Sequence, residues 1–126
     1  MKLLLYARKD EIGQRLRERI QDLMLNNVME SFKAIDNFIQ RLRQPVNEFS
    51  LAVILADSRN ELNKIIELGD LLEGLKIIII LPDRSPETVS AALKLHPRYM
   101  GYADGDFLDV SMVAGRMLQR SLSVPV

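Results

Sequence analysis

The chain has 126 residues, enough for one domain, and its 17 Lys and Arg balance 17 Asp and Glu around a single His. An apolar fraction of 48% with 27% charged residues excludes disorder, and the balanced charge excludes a protein built to coat nucleic acid, which needs excess cations against phosphate. Cysteine is absent, which removes disulfides, thiol nucleophiles, iron–sulfur ligation and the common structural zinc sites, so any metal is expected to be hard and carboxylate-bound, such as Mg²⁺.

The first apolar run, Leu3 to Ala7, is shorter than a secretory signal core of about 7–15 residues and leads straight into Arg8, Lys9 and Asp10. Its continuous hydrophobicity predicts a strand covered on both faces. Ile12, Leu16, Ile20, Leu23 and Met24 then recur at spacings of three and four, with Arg15, Arg17, Arg19 and Asp22 between them, which predicts an amphipathic helix. A short strand from Val28 to Phe32 follows, then a helix through Ile35, Phe38, Ile39 and Leu42 that stops before Pro45. A longer first helix that absorbs this strand is the alternative. Leu51 to Ala56 predicts the next strand, and Leu62, Ile65, Ile66, Leu68 and Leu72 the next helix, with Gly74 placed for a left-handed terminus.

Ile77 to Leu81 is a third strong strand, and even extended to Pro82 it falls far short of the roughly 20 residues that span a bilayer. Ser85-Pro86-Glu87-Thr88 opens a helix, with Ser at the N-cap, Pro at the first helical position and Glu near the positive end of the dipole. Val89, Ala92, Leu93 and Leu95 form its apolar face, and His96-Pro97 ends it. Arg98 to Ala103 is a weaker strand. Asp106 is placed to cap a last helix bearing Leu108, Val110, Met112, Val113, Ala114, Met117 and Leu118.

Five strand-then-helix repeats force the strands to run parallel. The expected fold is a single doubly wound (βα)5 domain over residues 1–126, with a five-stranded sheet in the flavodoxin-like order 2-1-3-4-5. No output domain, membrane segment or nucleic-acid surface is expected, and the chain reads as cytoplasmic.

In such sheets ligands bind beyond the carboxyl ends of the strands. Arg8, Lys9 and Asp10 follow the first strand, Asp57 the third, Asp83 the fourth, and Asp104 and Asp106 the fifth. One reading of Asp10, Asp57, Asp83 and Asp104 is a Mg²⁺ or phosphoryl site; the plainer reading, which we favour, is that Asp between a strand and a helix caps or turns the chain. Arg8 and Lys9 are candidates for holding an anion, against a plainer role as solvated charge paired with Asp10 and Glu11. The six glycines form neither G-x-G-x-x-G nor a P-loop, so a nucleotide cradle is not expected. His96 faces away from this rim, which leaves a Ser-His-Asp arrangement without a base.

The opening Met-Lys-Leu-Leu-Leu-Tyr, the Leu-Ala-Val-Ile-Leu-Ala-Asp ending at Asp57, the length and the five-repeat layout together resemble receiver domains of two-component response regulators, over essentially the whole chain. The resemblance implies an acidic pair after the first strand, a phosphoacceptor Asp after the third, a Ser or Thr after the fourth and a Lys-Pro step after the fifth. Those positions fall on Ala7 and Arg8 (or Lys9 and Asp10), on Asp57 (or Ala56), on Leu81 or Pro82, and on Tyr102-Ala103. Only Asp57 survives, and a cation beside it would repel Mg²⁺. The resemblance therefore implies a pseudo-receiver without phosphoryl chemistry, enzymatic activity or cofactor, which binds a protein partner. A homodimer through the fourth helix, fifth strand and fifth helix, where Tyr99, Tyr102 and Met112 lie, is one form of that expectation. A Mg²⁺-dependent phosphoreceiver using Asp57, with Asp10 or Asp83 as metal carboxylate, and an anion sensor at Arg8 and Lys9 are the alternatives.

Overall fold

The computed structural model describes residues 2–24, 28–45 and 49–122, the side chains of 50 and 120–122 excepted. In chain order the elements are β1 (Lys2–Tyr6), α1 (Glu11–Leu23), β2 (Val28–Phe32), α2 (Ile35–Leu42), β3 (Phe49–Leu55), α3 (Arg59–Ile66), α4 (Gly69–Leu72), β4 (Ile77–Leu81), α5 (Pro86–Ala92), β5 (Tyr99–Tyr102) and α6 (Leu108–Leu122). All strand pairs are parallel, in the order β2-β1-β3-β4-β5. This is the flavodoxin-like winding expected from the sequence. Among the described residues no helix is long and apolar enough to cross a membrane.

The continuous apolar runs arise because successive side chains of a strand point to opposite faces and both faces are covered. In β1, Leu3 and Leu5 pack with Leu16 and Ile20 of α1 and with Val110 and Ala114 of α6. Leu4 and Tyr6 pack on the other face with Phe38 of α2, Leu62 and Ile65 of α3 and Ala92 of α5. Each fully buried aliphatic side chain contributes roughly 1.5–3 kcal/mol of transfer free energy, so two such layers stabilise the sheet without cross-links.

The predicted helix from Leu62 to Leu72 is divided into α3 and α4. The Leu68 N–H closes on the carbonyl of Ile65, three residues back, at 2.9 Å, and Gly69, a poor helix former, restarts the chain. Gly74 takes the left-handed conformation expected of it, at φ 89°. Ser85 caps α5 as predicted, accepting from the Thr88 N–H at 3.2 Å. A 3₁₀ turn, Leu93–Leu95, closes α5, and His96 follows in the left-handed region at φ 51°. Asp106 accepts from the Leu108 N–H at 3.0 Å and starts α6 across Phe107, whose φ is also positive at 65°.

Candidate functional site

At the carboxyl edge of β1 the chain turns into α1, and three devices fix that turn. Asp10 is the N-cap of α1, accepting from the Gly13 N–H at 2.6 Å. Gly13 packs against the turn so closely that a Cβ there would lie 2.2 Å from the Arg8 carbonyl oxygen. Arg17, only 6% exposed, reaches back from α1 and donates to the Ala7 carbonyl at 2.7 Å and to the Arg8 carbonyl at 3.5 Å. A buried guanidinium spent on two backbone oxygens holds the backbone from which the Arg8 side chain projects.

Arg8 crosses to the end of β3. Its Nε and Nη2 donate to the two carboxylate oxygens of Asp57 at 2.9 and 2.8 Å, a bidentate pairing in which Arg8 is half-exposed and Asp57 is 9% exposed. Arg8 Nη1 also lies 3.9 Å from Glu61, a carboxylate with only 2% exposure. Glu61 is carried on the first turn of α3, where its N–H donates to the N-cap Ser58 at 3.1 Å. The Tyr6 hydroxyl donates to Glu61, and the Tyr6 ring stacks on Phe38 with centroids 5.1 Å apart. Burial, reinforced by the bond to Glu61, pushes the Tyr6 phenol far above its ordinary pKa, so it remains a donor. The Arg8 guanidinium is held in its charged form chiefly by its hydrogen bonds to Asp57.

The remaining rim is also internally paired. Asp83 accepts from the Ser85 N–H at 2.9 Å, and that bond, with the Thr88 and Ser85 hydroxyls, holds its carboxyl below the usual range. Thr88 is fully buried, accepting from the Ser85 hydroxyl at 2.9 Å and from Arg59 at 3.4 Å. Arg84 donates to Asp104, which lowers the Asp104 pKa, and lies over the Tyr102 ring 4.2 Å from its centroid.

Of the sequence-predicted residues, only Arg8 and Asp57 meet. Asp10 caps α1 and Asp83 turns the chain before α5, the plainer role expected of both. Asp57 does not cap α3, a place taken by Ser58. Arg8 pairs with Asp57, not with Asp10 or Glu11 as its plainer reading held, and Lys9 is exposed beside it. Among the described residues no group of three or more His, Cys, Asp or Glu is arranged to hold a metal ion. A receiver's Mg²⁺ does not fit this donor set, because a guanidinium already takes both oxygens of Asp57 and Ala7 offers no ligand.

Tyr99 and Tyr102 pack on opposite faces of the sheet, as their three-residue spacing requires. The Tyr99 hydroxyl donates to Asp109 at 2.6 Å, and Met112 stands 51% exposed on α6. Sequence reasoning missed Tyr6, Arg17 and Glu61. The Ser58-x-x-Glu61 capping-box spacing was a signal for the last of these.

No family model matches the chain, and no curated protein matches it. Solved structures do. A response regulator receiver protein from Pseudoalteromonas atlantica superposes with a TM-score of 0.69 at 12% identity, over 97% of each chain. A protein of Burkholderia pseudomallei K96243 described as pilus assembly-related gives 0.69 at 18% identity, over 95% of this chain and 90% of that one. A pilus assembly protein (cpaE) structure from Burkholderia thailandensis E264 gives 0.69 at 20% identity, over 94% of this chain and 99% of that one. At these identities the likeness establishes the receiver fold.

Proposed function

We propose that this chain is a pseudo-receiver: a binding or regulatory module that uses the receiver fold without phosphoryl transfer and acts through a protein partner. The bidentate Arg8–Asp57 pairing carries this reading. A phosphoacceptor needs a free carboxylate oxygen as nucleophile and a divalent cation to neutralise the incoming phosphoryl group. Here the cation is a side chain, tethered to the fold and occupying both oxygens. Its charge neutralises Asp57, and its Nε and Nη2 are both spent on that carboxylate. The exposed apolar side chains Leu108 and Met112, one turn apart on α6, support a role in protein contact. Two of the matched structures are described as pilus assembly proteins, so an assembly setting is a natural first place to seek the partner.

The test is incubation of the full chain with acetyl phosphate and Mg²⁺, read by intact mass beside a phosphorylatable receiver. The expected mass is unchanged. A stoichiometric gain of one phosphoryl group that disappears in Asp57→Asn would replace this reading with the phosphoreceiver one.

A further inference from the structure

The opposite end of the sheet carries a second feature, independent of the rim and of the proposed function. At the amino edge of β4 and β5 lies a cavity of about 580 Å³, between the segment that runs from α4 into β4 and the segment that joins the 3₁₀ turn to β5. Its volume falls within the roughly 300–1,000 Å³ of small-molecule sites. The floor is apolar, made by the buried side chains of Leu72, Ile77 and Leu95. The side toward β5 is cationic: Lys94, His96 and Arg98 line it, and Lys76 stands at the start of β4.

These groups differ from the arginines that build the rim. Arg8, Arg17, Arg59 and Arg84 each have a carboxylate, carbonyl or hydroxyl partner, whereas the Lys76, Lys94, His96 and Arg98 side chains have no ion pair or hydrogen bond among the described residues. Two left-handed residues, Gly74 at φ 89° and His96 at φ 51°, turn the two segments into the cavity walls. Asp70 and Glu73 line the α4 side and limit what can enter. Their charge disfavours an extended polyanion such as a nucleic acid more than a ligand with a single anionic group.

We infer that this cavity is a binding site for a small amphiphilic anion, with one carboxylate, sulfonate or phosphate head and an apolar body. The head sits between Lys94 and Arg98, whose fork suits a planar or tetrahedral oxyanion. The body covers Leu72, Ile77 and Leu95. The ligand role is thus placed at the amino edge of the sheet, away from the ion-paired rim.

Anilinonaphthalene sulfonate, an aromatic body with one anionic head, is the probe. Titrated into the full chain and followed by fluorescence, it is expected to bind at one site. The variant Lys94→Glu with Arg98→Glu is expected to weaken that binding by at least roughly tenfold, since both charges facing the head are reversed. Lys64→Glu, a charge reversal at an exposed position of α3 that does not line the cavity, leaves it unchanged. Phenylnaphthylamine, a neutral analogue, separates head from body: its binding is expected to survive the charge reversal. Equal sulfonate affinity in the parent and the double variant overturns the assignment, as does a loss shared by Lys64→Glu. If the reversal unfolds the chain, Lys94→Gln with Arg98→Gln replaces it, and the parent is titrated at low and at about 1 M salt, where the screening length is about 3 Å. Affinity that is unchanged by salt and by the neutral variant also overturns the proposal.

Discussion

Removing Arg8 tests the closed rim directly. In Arg8→Ala the side chain of Asp57, 9% exposed, and that of Glu61, 2% exposed, lose the cation that faces them both. An exposed ion pair contributes about 0.2–1 kcal/mol, whereas stripping one partner from a fully buried pair costs about 3–5 kcal/mol. The Arg8 side chain is 49% exposed, so solvent screens its end of the pair and the coupling to Asp57 belongs between those limits, at about 1–2 kcal/mol. For a chain of 126 residues that corresponds to a fall in Tm of roughly 3–10 °C. The assay is a double-mutant cycle in urea over the parent, Arg8→Ala, Asp57→Ala and the double variant. The double variant is expected to be more stable than the sum of the single losses predicts, by the coupling energy. A coupling below about 0.3 kcal/mol would refute the reasoning, because it would mean the two side chains are solvated independently.

Four further outcomes follow from the same geometry. Arg8→Asp puts a third carboxylate beside Asp57 and Glu61 in place of the cation, so Mg²⁺ is expected to raise the Tm of this variant and not of the parent; a flat response in Arg8→Asp counts against the tethered-cation reading. The Tyr6 pKa is raised by folding, so its contribution is complete below the unfolded value of about 10 and is lost as pH rises beyond it. Tyr99, held by Asp109, adds to the same alkaline limb, and Tyr6→Phe is therefore expected to flatten that limb without abolishing it, as measured by urea unfolding from pH 9 to about 11.5. Gly13→Ala forces a methyl group against the Arg8 carbonyl and is expected to cost about 1–3 kcal/mol, seen as a lower urea midpoint. Ser85→Ala removes the cap of α5 and leaves the buried Thr88 hydroxyl without its donor from Ser85, for a loss of about 1–2 kcal/mol in the same assay.

Much of the architecture was legible because it rests on local signals. Val28 to Phe32 and Ile77 to Leu81 have the predicted strand limits, and the cap at Ser85 is where turn chemistry puts it, whereas Asp106 stands one residue before the cap position of α6 and turns the chain by accepting from Leu108. The helix through Leu62 and Leu72 was legible in its apolar face but not in its break, because periodicity continues through Leu68 while the backbone tightens before Gly69. Whether Met112 faces the core or solvent was likewise not legible. Helical spacing gives the relative direction of side chains, but the tilt of α6 on the sheet decides which of them the core reaches.

By itself the sequence determined the winding and the places of Arg8 after β1 and Asp57 after β3. Apolar period and connection length are local properties, and the chain must bury what they expose. Only the tertiary structure decided what Arg8 does with its charge. Arg8 and Asp57 are 49 residues apart, and the parallel pairing of β1 with β3, which sets Tyr6 beside Ile54, brings their loops together. The same pairing sets Tyr6 under α3, so that Glu61, an ordinary first-turn acid in sequence, becomes a buried carboxylate held between a phenol and a guanidinium. A long-range pair of this kind has no periodicity to betray it; its partners are chosen by sheet register and by the low exposure that leaves a charge no alternative but its neighbour.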